Sequence, residues 1–188
     1  MRCVRLRAHL QTDPLLLLIG EAPGFRGCRI TGVGFTSERL VVEGAVPRVT
    51  TNGARISSRA TPFSEASASI VWGALYRHGL AERTVLWNAF AWHPHQSGNG
   101  QTNRTPTKQE LDAGKDVLKE LLRAFVGTPI VAVGRTAEVS LKRLGVIPQA
   151  CFRHPAMGGA TDFRRGLARW AAESTEATDG AMTLSLTA

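Results

Sequence analysis

The sequence predicts an α/β fold: a single three-layer α/β/α domain around a central four-stranded parallel sheet. Three observations carry that expectation. Short apolar runs without polar breaks, such as L-L-L-L-I-G at 15–20, read as strands buried on both faces. Helical periodicity separates these runs, and strands alternating with helices wind a parallel sheet covered on both sides. Strand ends carry the polar residues Glu21, Asn88 and His154. Parallel strands deliver such residues to one edge, and in open α/β sheets ligands sit at the carboxyl edge.

Taken in order, residues 1–13 read as a loose basic arm, and Pro14 marks entry to the first strand of a domain spanning 14–172. That strand runs into G-E-A-P-G at 20–24, a turn in which Pro23 presets φ and the glycines allow close backbone approach. Thr36 is positioned to cap a short helix closed by Gly44. Residues 46–59 read as a long surface loop or weak hairpin, whose Arg48, Arg55 and Arg59 contact phosphate or are merely solvated. Ser64 opens an amphipathic helix ending at Gly79, with Ile70, Trp72, Leu75 and Tyr76 as its core face. T-V-L-W-N-A-F at 84–90 is the second strand, followed by a polar loop at 93–104. T-K-Q-E at 107–110 is a capping box opening a helix to about Phe125. Residues 129–133 form the third strand, Gly134 the turn into the next helix, and 149–152 the fourth strand. A last helix covers 162–172, and residues 173–188, lacking periodicity, read as a mobile tail.

The charge balance points to a polyanion. There are 23 Lys+Arg against 15 Asp+Glu, a net charge of +8, with a pI near 10.4. Arginine dominates, and its planar fork suits phosphate. Counterion release makes nucleic acid the default partner of such a surface, unless the chain is simply arginine-rich throughout. No apolar run is long enough to cross a bilayer, and no secretory signal is visible, so a reduced, cytosolic setting is expected. The three cysteines, Cys3, Cys28 and Cys151, lack C-x-x-C spacing and cannot make a four-thiolate site. Cys28 lies between Arg26 and Arg29, which would lower its pKa. His93 and His95 have no third ligand of clear spacing, so neither metal nor cofactor is expected.

Several of these segments, in order, resemble the uracil-DNA glycosylase superfamily. G-E-A-P-G at 20–24 and T-G-V-G-F at 31–35 are similar to the first active-site motif and the base-stacking phenylalanine segment of its iron–sulfur family. N-A-F at 88–90, N-R-T-P-T-K-Q-E-L at 103–111, V-A-V-G-R-T-A at 131–137 and H-P-A at 154–156 resemble its later motifs. The four cluster cysteines of that family are absent. Ala22 stands where other branches carry an aspartate, and Gly24 where they carry a thymine-excluding tyrosine.

The resemblance implies a monofunctional uracil-DNA glycosylase of base-excision repair, an N-glycosyl hydrolase that flips uracil out of DNA and releases it as the free base. Glu21 and His154 would be catalytic: Glu21 places water and stabilises the cationic sugar or else caps the following turn, while His154 donates to uracil O2 or is a structural histidine. Gly20, Glu21, Ala22, Phe35, Asn88 and His154 would bind the base. Asn88 accepts from N3–H and donates to O4, which selects uracil over cytosine, unless it only ties strand ends together. Phe35 stacks on the base or belongs to the core. Arg153, Met157, Gly158, Gly159 and Arg164 would contact DNA, with Met157 as an apolar wedge or a core filler. The implied partner is uracil-containing DNA, met by a monomer without a membrane. Two alternatives stand beside this: a glycosylase for other deaminated bases such as hypoxanthine or xanthine, given the room at Gly24, and a non-catalytic binder of uracil-containing or damaged DNA.

Overall fold

Leu16, Leu17, Leu18 and Ile19 are all completely buried, and that burial dictates the architecture. A strand of alternating faces can hide such a run only between two layers. The computed structural model describes the backbone of residues 1–185 and the side-chain surroundings of residues 1–174. The chain forms α1 (Arg2–Leu10), β1 (Leu16–Gly20), α2 (Cys28–Thr31), α3 (Glu38–Val42), α4 (Ala66–Arg77), β2 (Thr84–Asn88), α5 (Lys108–Ala124), β3 (Ile130–Val133), α6 (Arg135–Arg143), β4 (Ala150–Phe152) and α7 (Ala160–Ser185). The four strands lie in the order β2-β1-β3-β4, all parallel. Leu16 and Leu18 face a core shared with Trp72, Leu75, Phe163 and Leu167 of α4 and α7. Leu17 and Ile19 face Leu118, Leu121 and Leu141 of α5 and α6. The expected three-layer sandwich is therefore present. Among the described residues no helix is long and apolar enough to cross a membrane.

Three local expectations change. The basic arm at 1–13 contains a packed helix, because Arg5 and His9, one helical turn apart, find polar partners inside. Arg5 donates to the carbonyls of Thr31 at 2.7 Å and Ile30 at 3.2 Å, closing the C-terminus of α2. The wholly buried His9 accepts from the Leu86 N–H at 2.8 Å. Since β2 is an edge strand, this contact occupies a donor that the sheet leaves open. Burial, helped by the nearby Arg48 charge, lowers the His9 pKa to about 3, so it is a neutral acceptor. Thr36 does not cap α3; Ser37 precedes that helix, and the Thr36 hydroxyl accepts from Trp72 Nε1 at 3.0 Å. α7 continues through residues 173–185, a stretch without proline, where a mobile tail is expected. The last part of that tail, 186–188, lies outside the described residues.

The loop at 46–63 is organised from within. Glu38, completely buried at the start of α3, accepts from the N–H groups of Ile56, Ser57 and Phe63, from the Ser57 hydroxyl and from Arg55 Nε. Burial opposes the charged form, yet these donors outweigh it and bring the Glu38 pKa down to about 2. Arg55 is thus committed to Glu38, and Arg48 donates to the carbonyls of Glu82 and His9. Arg59 stacks over Phe63 at 4.6 Å. Tyr76, expected in the core, is half exposed, and its hydroxyl donates to the Ala45 carbonyl.

Candidate active site

The carboxyl ends of β1, β2 and β4 open into one cavity of about 960 Å3. Backbone pairing carries the sheet past its strands: Ala89 N–H donates to the Gly20 carbonyl at 2.8 Å and Phe90 N–H to the Glu21 carbonyl at 3.0 Å. The turn bearing Glu21 is therefore locked to the strand end bearing Asn88. Glu21, Ala22, Phe35, Asn88, Arg153 and His154 all line the cavity.

Glu21 Oε1 accepts from the Thr136 N–H at 3.0 Å, so the acid caps the N-terminus of α6. It does so across the sheet, not on its own following turn. The other carboxylate oxygen has no hydrogen-bond partner among the described residues, and Glu21 lines the cavity. Gly134 makes this approach possible: with φ of +94°, a Cβ there would lie 2.5 Å from Glu21 Oε1. Gly20 does the same for the neighbouring ring, since a Cβ would meet Phe35 at 2.5 Å and Asn88 Oδ1 at 2.8 Å.

Phe35 belongs both to the core and to the site. It is 6% exposed, packs in the larger core and still borders the cavity. Its backbone has φ of +47°, unusual for phenylalanine, and hydroxyls hold it there: Thr31 donates to the Thr36 carbonyl and Thr36 to the Gly34 carbonyl, each at 2.8 Å. The Phe35 ring lies 5.7 Å from the His154 ring, tilted by 34°.

His154 Nδ1 accepts from the Ala156 N–H at 3.2 Å, which leaves the ring proton on Nε2. Burial lowers its pKa, while the charge of Glu21 pulls the other way. The result is a neutral imidazole with a fixed tautomer and a donor to offer. Asn88 is nearly buried, and its Nδ2 donates to Cys28 Sγ at 3.7 Å. The Cys28 thiol itself departs from expectation. Burial first, and then the Glu65 charge, push its pKa up to about 12, outweighing the opposing charge of Arg2 and the Asn88 hydrogen bond. Cys28 is a neutral wall residue.

The DNA-facing candidates divide. Arg153 pairs with Asp162 at 3.0 Å and donates to the Met157 carbonyl at 3.2 Å, bracing the loop that follows His154. Met157 is 92% exposed with φ of +52°, which excludes a core role. Gly158 has φ of +80°, and a Cβ on Gly159 would strike the His154 carbonyl at 2.1 Å. Arg164 does not join them. It is exposed on α7 and lines a separate groove with Arg77 and Arg165.

Sequence reasoning missed several wall residues. Asn103 Oδ1 accepts from the Phe25 N–H at 2.9 Å and contacts His93 Nε2 at 3.1 Å, tying the loop at 93–104 to the first turn. Arg104 forms a two-pronged pair with Glu110 at 2.6 and 2.7 Å, which anchors the same loop to the capping box of α5. Glu65, just before α4, fills the space beside Gly24 that had been read as room for a larger base. A sequence offers no signal for Glu65, because its neighbours are glycines some forty residues away.

Residues 8–175 match the family model described as the Uracil DNA glycosylase superfamily. Among solved structures, wild-type SMUG2 from Pedobacter heparinus is similar in fold, with a TM-score of 0.62 at 15% sequence identity, covering 87% of this chain and 76% of that one. No curated protein matches the chain in sequence.

Proposed function

The chain belongs to the uracil-DNA glycosylase superfamily, and from that premise we propose that it hydrolyses the N-glycosidic bond of uracil in DNA to start base-excision repair. The observation that carries the reading is one cavity lined by Glu21, Asn88, His154 and Phe35, with the Phe35 ring against His154 on one hand and sharing the Gly20 surface with Asn88 on the other. A flipped uracil stacked on Phe35 would present N3–H and O4 to the Asn88 amide, and O2 to His154. Cytosine offers the opposite donor and acceptor pattern to the amide.

As the C1′–N1 bond breaks, its electron pair moves to the base. The sugar becomes cationic and the uracil anionic. The His154 donor strengthens its hydrogen bond to O2 as that charge grows, and a neutral ring supplies it without a proton transfer. The Glu21 carboxylate stabilises the cationic sugar and orients the water that adds at C1′, taking up the proton that the water loses. Among the described residues no lysine lines the cavity, which favours hydrolysis by water over a Schiff-base strand-cleaving step. Phosphates are met by the exposed loop at Met157 and Gly158, and the enzyme acts as a cytosolic monomer.

The test is base release from oligonucleotides containing uracil, hypoxanthine or xanthine, single- and double-stranded, with alkali converting abasic sites to breaks. Uracil release by the wild type, lost in Glu21→Gln and His154→Ala, is the expected result. Release only of a purine would change the substrate. Tight retention of the uracil strand with no release would make the protein a binder.

A further inference from the structure

Glu65 is an acid of the cavity wall that the chemistry above leaves unused. Its carboxyl lies against two bare α-carbons. A Cβ on Gly24 would sit 2.2 Å from Oε1, and a Cβ on Gly27 would sit 2.2 Å from Oε2. The carboxyl therefore occupies the volume that a side chain at either position would need. The wall is continuous, because Glu65 neighbours Cys28 and Cys28 Sγ takes the hydrogen bond from Asn88. Glu65 is held from behind: its backbone carbonyl accepts from the Ser69 N–H at 3.2 Å and from the Ser69 hydroxyl at 3.4 Å at the start of α4. Burial raises its pKa to about 6, a sign of a poorly hydrated position.

On the reading of the reaction given above, Asn88 takes N3–H and O4 of the base. The next ring atom along that wall is C5. We infer that Glu65 closes the cavity against the C5 edge of the bound pyrimidine and so sets specificity for bases that carry no substituent there. A 5-methyl group would collide with the carboxyl and strip its remaining water, both of which count against thymine. Gly24 and Gly27 are then the residues that let a group from α4 serve a wall formed by the first turn.

The experiment compares release of uracil and thymine, each opposite guanine in a duplex, by the wild type, Glu65→Ser and Glu65→Gln. Serine suits the residue preceding a helix, so this truncation preserves the start of α4. The expected reading is a thymine-to-uracil release ratio about tenfold higher in Glu65→Ser, the scale on which a single methyl is discriminated. Glu65→Gln, equal in size, keeps the wild-type ratio. A serine variant as strict as the wild type overturns the inference, and so does a glutamine variant as permissive as serine. Wild type that releases neither base overturns the reaction assignment first, which separates the two failures.

Discussion

Glu21 and Glu38 are both partly or wholly withdrawn from solvent, yet the fold treats them in opposite ways. Glu38 is saturated by donors from the loop at 55–63 and has no capacity left. Glu21 lines the cavity, meets a single backbone N–H and leaves its second oxygen without a hydrogen-bond partner among the described residues. A carboxylate whose lone pairs are all engaged is a structural knot, because any new partner must displace an old one. A carboxylate fixed through one oxygen is positioned but still reactive. On the proposed reaction, burial and charge alone do not set Glu21 apart from Glu38; the free lone pair does.

Breaking the open member should have the largest effect. Glu21→Gln retains an oxygen for the Thr136 N–H, so stability should stay within about 0.5 kcal/mol. Uracil release should fall by about 10²–10³, the scale for losing one group that stabilises charge in the transition state. Single-turnover release and a urea titration on the same preparation check both halves. Glu38→Gln should behave inversely. An amide nitrogen would face a donor, and unfolding free energy should drop by about 2–3 kcal/mol, while single-turnover release by the folded fraction is unchanged.

A subtler change sharpens the comparison. Gly134→Ala forces a Cβ to 2.5 Å from Glu21 Oε1 and strains a φ of +94°. The strain should cost about 1–2 kcal/mol of stability. Displacing the carboxylate should also cut release disproportionately, since misplacing a reacting group by about 1 Å can cost on the order of a hundredfold. Equal release by mutant and wild type would mean that the Thr136 contact does not position the acid.

The smallest effects near neutrality come from pH. Glu38 titrates at about 2 in the folded protein against an ordinary 4.5, so its contribution is complete above 4.5 and is lost as pH falls toward 2. His9, lowered from 6.5 to about 3, favours the folded state above 6.5 and withdraws that stability as pH falls toward 3. Stability should therefore decline in two overlapping stages on acidification, and Glu38→Gln should remove the lower one. Because burial also lowers the His154 pKa, its ring stays neutral below the ordinary histidine value. The histidine-dependent limb of uracil release should correspondingly lie below pH 6.5.

What the sequence determined by itself was the frame and the three strand-end residues. Short apolar runs at 15–20, 85–87 and 129–133 have only one low-cost solution, a strand covered on both faces. Parallel strands then bring Glu21, Asn88 and His154 to one edge without further information. Local capping was equally legible, as the box at Thr107 and Glu110 shows. Tertiary structure alone decided everything set by partners distant in the chain. α1 is anchored by Arg5 and His9 through polar contacts to residues 31 and 86, which leave no hydrophobic periodicity to read. Cys28 became a neutral wall residue because burial, joined by the distant Glu65 charge, pushed its pKa up. Met157 turned outward on a strained turn, and Glu65 reached the cavity because Gly24 and Gly27 made room. Periodicity records which face of an element is buried, whereas hydrogen-bond partners and shared volume exist only once the elements have packed.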